Sequence, residues 1–266
     1  MQTANGRVWL VGAGPGDPEL LTRKAERLLR EADVILHDRL VSPEILALAG
    51  PRPQRIYVGK CCGNHHVGQR RTEELLVHCA RQGLRVVRLK GGDPFIFGRG
   101  GEEMDALRAA GIACEVVPGV TAALGCAAAT GIPLTHRDHA SSVLFVTGND
   151  RDNRSPADWA ALTHRDRTLV MYMGLAALEH FTEGLQRSGL PADWPVAVVA
   201  EGTTAHQQTV RGTLTTIAGL AREAGLPSPA LTIIGQVVTA GRSHLFETSG
   251  QVGAQHVAAP VADGDR

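Results

Sequence analysis

Six short turns in this chain combine glycine with polar, acidic or small residues directly after an apolar run: VGAGPGDP, KGGDPF, VPGVTAA, VTGND, YMGL and AEGTT. Glycine turns of this kind let the backbone come close to a ligand and present carbonyl oxygens to it at short range. VGAGPGDPELL begins like a dinucleotide fingerprint at Gly12 and Gly14 and then departs from it. Where G-x-G-x-x-G needs its third glycine there is Asp17, flanked by Pro15 and Pro18, neither of which has an N–H to donate. Asp17 followed by Pro18 reads instead as a helix N-cap and first helical position, which occupies the helix end a pyrophosphate would use. The chemistry that fits is a nucleotide-like ligand without phosphate and with a cationic centre. S-adenosylmethionine is such a ligand, its sulfonium stabilised by carbonyls and by a carboxylate such as Asp93. An aromatic cage for the cation is poorly supplied in a chain that is 4% aromatic.

Two further groupings draw attention. GGDPFIFGRGG (91–101) holds Phe95 and Phe97, two of only five Phe, in a segment otherwise rich in glycine. Rings in so flexible a loop have plain core packing as their simplest reading. CCGNHH (61–66) gathers Cys61, Cys62, His65 and His66, but the spacing matches no established zinc pattern and no metal site is expected.

The elements that must carry these turns are legible as β-branched runs alternating with amphipathic helical patterns. The expected strands are 7–12, 33–38, 55–59, 85–91 and 114–119, then VLFVTG, TLVMYMG, VAVVAEG, QQTVRGTL and ALTIIGQV. A polar stretch, THRDHASS (135–142), separates the two sets. The reading is therefore two α/β domains, 1–138 and 139–246, with a ligand cleft between them, followed by a tail, 247–266, expected to be disordered. No apolar run approaches the roughly 20 residues of a spanning helix, and the N-terminus lacks a leader pattern, so a cytoplasmic protein without membrane contact is expected. Five cysteines fit a reducing compartment. A net charge of zero argues against nucleic acid as a partner. The cations are 24 Arg and three Lys (Lys24, Lys60 and Lys90), a bias that follows from codon usage or from planar recognition of carboxylates.

Taken together, VGAGPGDPELLT, DRLVS, VGK, RLKGGDPFIFGRGGEE, VPGVTAA, GIPLTHR, FVTG and YMG resemble the uroporphyrinogen-III C-methyltransferases of the tetrapyrrole methylase family, from Val8 to Phe246. The resemblance implies the tetrapyrrole methylase fold, a homodimer, and S-adenosyl-L-methionine as cofactor with S-adenosyl-L-homocysteine as product. Cofactor contacts carried over residue by residue fall on Pro15, Gly91, Gly92, Asp93, Ile96, Thr121, Ala122, Met173 and Gly202. Each has a plainer reading: turn rigidity for Pro15, core for Ile96 and Met173, helix filler for Ala122. The implied reaction methylates positions 2 and 7 of uroporphyrinogen III and gives precorrin-2 for sirohaem or cobalamin synthesis. In it the pyrrole is the nucleophile, positioning dominates, and a proton must finally leave. The family pattern puts Asp38 and Lys60 in that acid-base role. A turn carboxylate and a solvated loop charge are the plainer alternatives.

The tetrapyrrole substrate carries eight carboxylates, so Arg39, Arg70, Arg71, Arg99 and Arg137, with His65 and His136, are candidates to meet them. The chain departs from the family pattern at Cys61 and Cys62, at Gly68 and at Asn149, which touches the substrate loops more than the reaction class. Left open are a methylase acting on a later corrin intermediate, a relative acting on protein or RNA, and a non-catalytic tetrapyrrole binder. A nicotinamide-dependent oxidoreductase is disfavoured by Asp17 and its prolines.

Overall fold

The structure is a computed structural model that describes residues 6–59, 65–148 and 159–240, with residues 65–67 described by backbone alone. The chain divides into two compact units, Met1–Ala122 and Ala123–Arg266. That division falls earlier than the polar stretch 135–142. The two sheets are untouched by the difference, since the last strand of the first unit ends at Val117 and the first strand of the second begins at Ser142. The expected tail 247–266 lies outside the described residues.

The first unit runs β1 (Arg7–Gly12), α1 (Arg23–Glu31), β2 (Val34–His37), α2 (Pro43–Ala47), β3 (Gln54–Tyr57), α3 (His65–Arg81), β4 (Arg85–Lys90), α4 (Gly100–Ala109) and β5 (Cys114–Val117). Its sheet has the order β3-β2-β4-β1-β5 with every pair parallel. Parallel strands covered on both faces read as apolar runs. Accordingly Val8, Leu10 and Val86 join the core with Leu76 of α3 and Leu107 of α4, while Val11, Val87 and Leu89 join Leu28, Leu29 and Ile45 of α1 and α2. β1 leads through α1 to β2, beyond β4, whereas β4 leads through α4 to β5, beyond β1. Adjacent strands thus send the chain in opposite directions, and it is outside the carboxyl ends of such strands that α/β sheets bind ligands.

At the opposite ends of the strands a clamp sets the register of β2 against β4. Asp33 accepts from Arg85 Nη2 at 2.8 Å, from Arg85 Nε at 3.0 Å and from the Arg85 backbone N–H at 2.9 Å. The Arg85 hydrogen bonds hold the Asp33 carboxyl at about 2, down from an ordinary 3.8. A carboxyl whose folded value is depressed contributes stability that is present above its unfolded value and lost as pH falls through the folded one. Thermal unfolding of the parent and of Asp33→Asn is therefore expected to differ most above pH 4, and the gap should narrow as pH falls from about 4 towards 2. A gap that stays constant over that range would remove the clamp's electrostatic role.

In the second unit α5 (Ala122–Thr130) precedes β6 (Ser142–Thr147), β7 (Arg167–Tyr172), α6 (Leu178–Arg187), β8 (Pro195–Ala200), β9 (Gln208–Thr213), α7 (Ile217–Glu223), β10 (Ala230–Ile234) and α8 (Val237–Ala240). The sheet is mixed, in the order β6-β7-β10-β8-β9, with β6 parallel to β7 and the other pairs antiparallel. Because β10 runs against both β7 and β8, the turns leaving those two strands emerge at the same edge. Leu169, Met171, Val196, Val198 and Ile234 of the sheet form its core with Phe181, Leu185 and Ile217 of the covering helices. All ten strands expected from the sequence form. Among the described residues no helix is long and apolar enough to cross a membrane.

Candidate functional site

The turns leaving β1, β4 and β5 meet backbone to backbone. Gly14 and Gly92 form an isolated antiparallel bridge: the Gly92 N–H donates to the Gly14 carbonyl at 2.7 Å and the Gly14 N–H to the Gly92 carbonyl at 3.2 Å. Beside them, a Cβ on Gly12 would stand 2.5 Å from the Gly119 nitrogen and 2.6 Å from the Gly92 oxygen, both main-chain atoms. Here glycine is required because three turns share the space of two. At Gly92 the requirement is different: a Cβ would meet no atom nearer than 3.8 Å, but the backbone takes a left-handed φ of +66°. Asp93 locks the platform: Oδ2 accepts from the Gly119 N–H at 3.0 Å and Oδ1 from the Phe95 N–H at 2.8 Å. A carboxylate offers about four acceptor sites, so lone pairs remain for a ligand.

Asp17 caps as expected, accepting from the Glu19 N–H at 2.8 Å with Pro18 opening the turn, though that turn is a single 3-10 turn, Pro18–Leu20. Phe95 and Phe97 correct the expectation of core packing: they are 52% and 39% exposed. The loop itself turns them outward. Gly98 and Gly100 pack against the Pro94 carbonyl, and Phe97 and Arg99 take left-handed φ values of 52° and 58°. The other non-glycine residues with positive φ among the described residues are Met173, Glu201 and Thr203, in the turns after β7 and β8. Each such residue costs on the order of 1 kcal/mol or more, and such strain concentrates at functional sites.

Beneath the platform lies a chain of four charges, of which the sequence reading gave a role to Asp38 alone. Arg88 and Lys90, two apart on β4, face the α4 side of the sheet, and the first turn of α4 brings Glu103 to them, fully buried. Arg88 Nε donates to Glu103 Oε1 at 3.0 Å, Nη1 to the Leu89 carbonyl at 2.8 Å and Nη2 to Asp38 Oδ2 at 3.0 Å. Lys90 Nζ stands 3.0 Å from Glu103 Oε2, an ion pair without the direction of a hydrogen bond, which leaves that oxygen without a hydrogen-bond partner. Burial pushes the Lys90 amine below its ordinary value, and the neighbouring Arg88 charge adds to the fall. Asp38 is the outermost of the four, with a quarter of its side chain exposed, and its Oδ1 accepts from the Leu40 N–H at 3.0 Å. It is thus a turn carboxylate and a charge aimed from below at once. The available signal was a pair of cations at alternate positions in the otherwise apolar run RVVRLK.

Of the other residues singled out from the sequence, Pro15, Gly91 and Ile96 are half-buried in the same two turns, with Leu40 packed against Gly91. Thr121 is buried beside half-buried Ala122 at the start of α5. Met173, at 51% exposure, is not core. Gly202 packs against the Cys126 sulfur, which gives it a packing reason to be glycine. Arg39, Arg71 and Arg137 are exposed, whereas Arg70 pairs with Glu74 and Arg99 with Glu102. His136 lies 3.8 Å from the Asp138 carboxylate. Lys60, Cys61, Cys62 and the side chains of His65 and His66 lie outside the described residues, as does Asn149.

These features fit S-adenosylmethionine better than a dinucleotide. Uncharged main chain stands at close range, Asp93 has spare lone pairs, and Leu40, Phe95 and Phe97 expose apolar surface on the same unit, while the turn start after β1 is already capped by a carboxylate. The family model for Tetrapyrrole (Corrin/Porphyrin) Methylases matches residues 7–218. The chain belongs to the tetrapyrrole methylase family. Among solved structures it is similar to a uroporphyrin-III C-methyl transferase from Thermus thermophilus complexed with S-adenosylhomocysteine, at 43% identity and a TM-score of 0.76 over 88% of this chain and 100% of that one. It also resembles a cobalt precorrin-4 methyltransferase, at 28% identity and a TM-score of 0.77 over 87% of this chain and 95% of that one. Among curated proteins, the siroheme synthase of Acinetobacter baylyi is 55% identical over 88% of this chain and 51% of its own length. That of Nitrosococcus oceani is 53% identical over 88% of this chain and 50% of its own length. This tetrapyrrole methylase thus spans about half the length of the curated relatives it matches.

Proposed function

We propose that this protein transfers methyl groups from S-adenosylmethionine to positions 2 and 7 of uroporphyrinogen III, giving precorrin-2 for sirohaem or cobalamin synthesis. The observation that carries the reading is the contrast in identity at equal fold similarity. The uroporphyrin-III enzyme and the cobalt precorrin-4 enzyme match with TM-scores of 0.76 and 0.77, but with 43% against 28% identity. In this reading the turns holding Pro15, Gly91, Gly92, Asp93 and Ile96, the residues Thr121 and Ala122, and the turns of Met173 and Gly202 hold the cofactor. Asp38 and Lys60 handle the proton, and exposed arginines, Arg39 first among them, meet substrate carboxylates. The bound cofactor supplies an electrophilic methyl group. The chain's own residues align the pyrrole carbon with it and take up the proton that leaves the macrocycle. The enzyme works as a homodimer in the cytoplasm.

Asp38 stands outside the glycine platform, so Asp38→Asn should leave adenosylhomocysteine affinity, measured by calorimetry, within about two-fold while turnover of uroporphyrinogen III falls by about 10²- to 10⁴-fold. Parent-like turnover in that variant would reduce Asp38 to a turn carboxylate.

A further inference from the structure

We infer that Glu103 is a positioning residue for Asp38, acting through Arg88; the inference rests on the reading of Asp38 as a proton-handling group. An aspartate at a strand end can take several rotamers, and a proton acceptor must hold one of them. One Asp38 oxygen is held by the Leu40 N–H and the other by Arg88 Nη2. The second bond can hold only if the guanidinium itself cannot swing. Arg88 is planar and 6% exposed, and its Nε and both Nη1 donors are held by Glu103 Oε1 and by the carbonyls of Leu89 and Leu36, the last at 3.4 Å. Glu103 is in turn fixed in the first turn of α4, with no exposure, and faces Lys90 across 3.0 Å. The order of exposure runs one way: none at Glu103, 5% and 6% at Lys90 and Arg88, 25% at Asp38. Folding alone does not call for such a chain, because buried ion pairs are often replaced by apolar residues without loss of stability. What the chain delivers at its outer end is one oriented carboxylate beside the glycine platform.

Two charge-balanced double variants separate positioning from packing. Glu103→Gln with Lys90→Met keeps an acceptor for Arg88 Nε, whereas Glu103→Leu with Lys90→Met removes it. Both leave Arg88 and Asp38 as a neutral pair. With uroporphyrinogen III and S-adenosylmethionine as substrates, the leucine version is expected to have a kcat about 10- to 100-fold below the glutamine version, with KM and adenosylhomocysteine affinity alike in the two. In an Asp38→Asn background that difference should vanish. Equal kcat in the two double variants, or a difference that survives Asp38→Asn, overturns the inference. Parent-like turnover in Asp38→Asn alone overturns the underlying reading of Asp38, a distinguishable failure. Should the leucine version not fold, Arg88→Lys reads the same coupling, since an ammonium keeps the charge but cannot span Glu103 and Asp38 together. A lower kcat that disappears in the Asp38→Asn background supports the inference, and an unchanged kcat overturns it.

Discussion

Gly12→Val is expected to destabilise the protein by about 3 kcal/mol or more and to weaken adenosylhomocysteine binding by at least ~100-fold. The first added carbon would lie 2.5 Å from the Gly119 nitrogen and 2.6 Å from the Gly119 Cα and the Gly92 oxygen. All three are main-chain atoms, so no side chain can rotate to make room. Relief requires the turns after β1, β4 and β5 to part, which would break the Gly14–Gly92 bridge and pull Gly119 from Asp93. The two effects are coupled, because the groups that would meet the cofactor are the groups that hold the turns together. Calorimetric unfolding and ligand titration on the same sample test this. A variant that melts and binds like the parent would mean that the turns tolerate separation and that the close packing of glycine has another cause.

Glu103→Leu alone should be the most destabilising change at a single charged position, about 3–5 kcal/mol by denaturant titration, because it leaves buried Arg88 and Lys90 without their shared counter-charge. Adding Lys90→Met should recover most of the loss, since the remaining Arg88–Asp38 pair is balanced. Lys90 can also escape by releasing its proton, and burial already lowers its affinity for one. The penalty of the single variant should therefore shrink as pH rises towards the ordinary lysine value. A loss below about 1 kcal/mol, or no recovery on adding Lys90→Met, would mean that the buried charges are not held by Glu103 in this way.

The sheets and the first cap were legible in the sequence because their determinants are local. A strand covered on both faces must be an apolar run, and Asp17 with Pro18 carries its capping chemistry in two adjacent residues. The aromatic pair in the loop after β4 was misleading for an equally physical reason. Hydrophobicity argues for burial, but Gly98 and Gly100 fold the loop under the Pro94 carbonyl, and the left-handed φ at Phe97 and Arg99 leaves both rings outside. The glycines drew attention to turns that do pack main chain against main chain, but for a reason the sequence did not contain. At Gly12 and Gly119 the close neighbour is another turn, and such a contact between distant segments leaves no trace in local spacing. Asp38 came from family resemblance alone. What supports it, Arg88 and Glu103, was hidden because charged residues are ordinarily solvated, and only the fold shows which ones α4 lays against β4.

Whether this chain is the methyltransferase proposed can be decided by incubating it, purified, with uroporphyrinogen III and S-adenosylmethionine and following the tetrapyrrole by mass. The expected product carries two added methyl groups and forms through a singly methylated intermediate, with two equivalents of adenosylhomocysteine released. An unmodified tetrapyrrole, in a sample that binds adenosylhomocysteine and is folded by calorimetry, would refute the proposed activity.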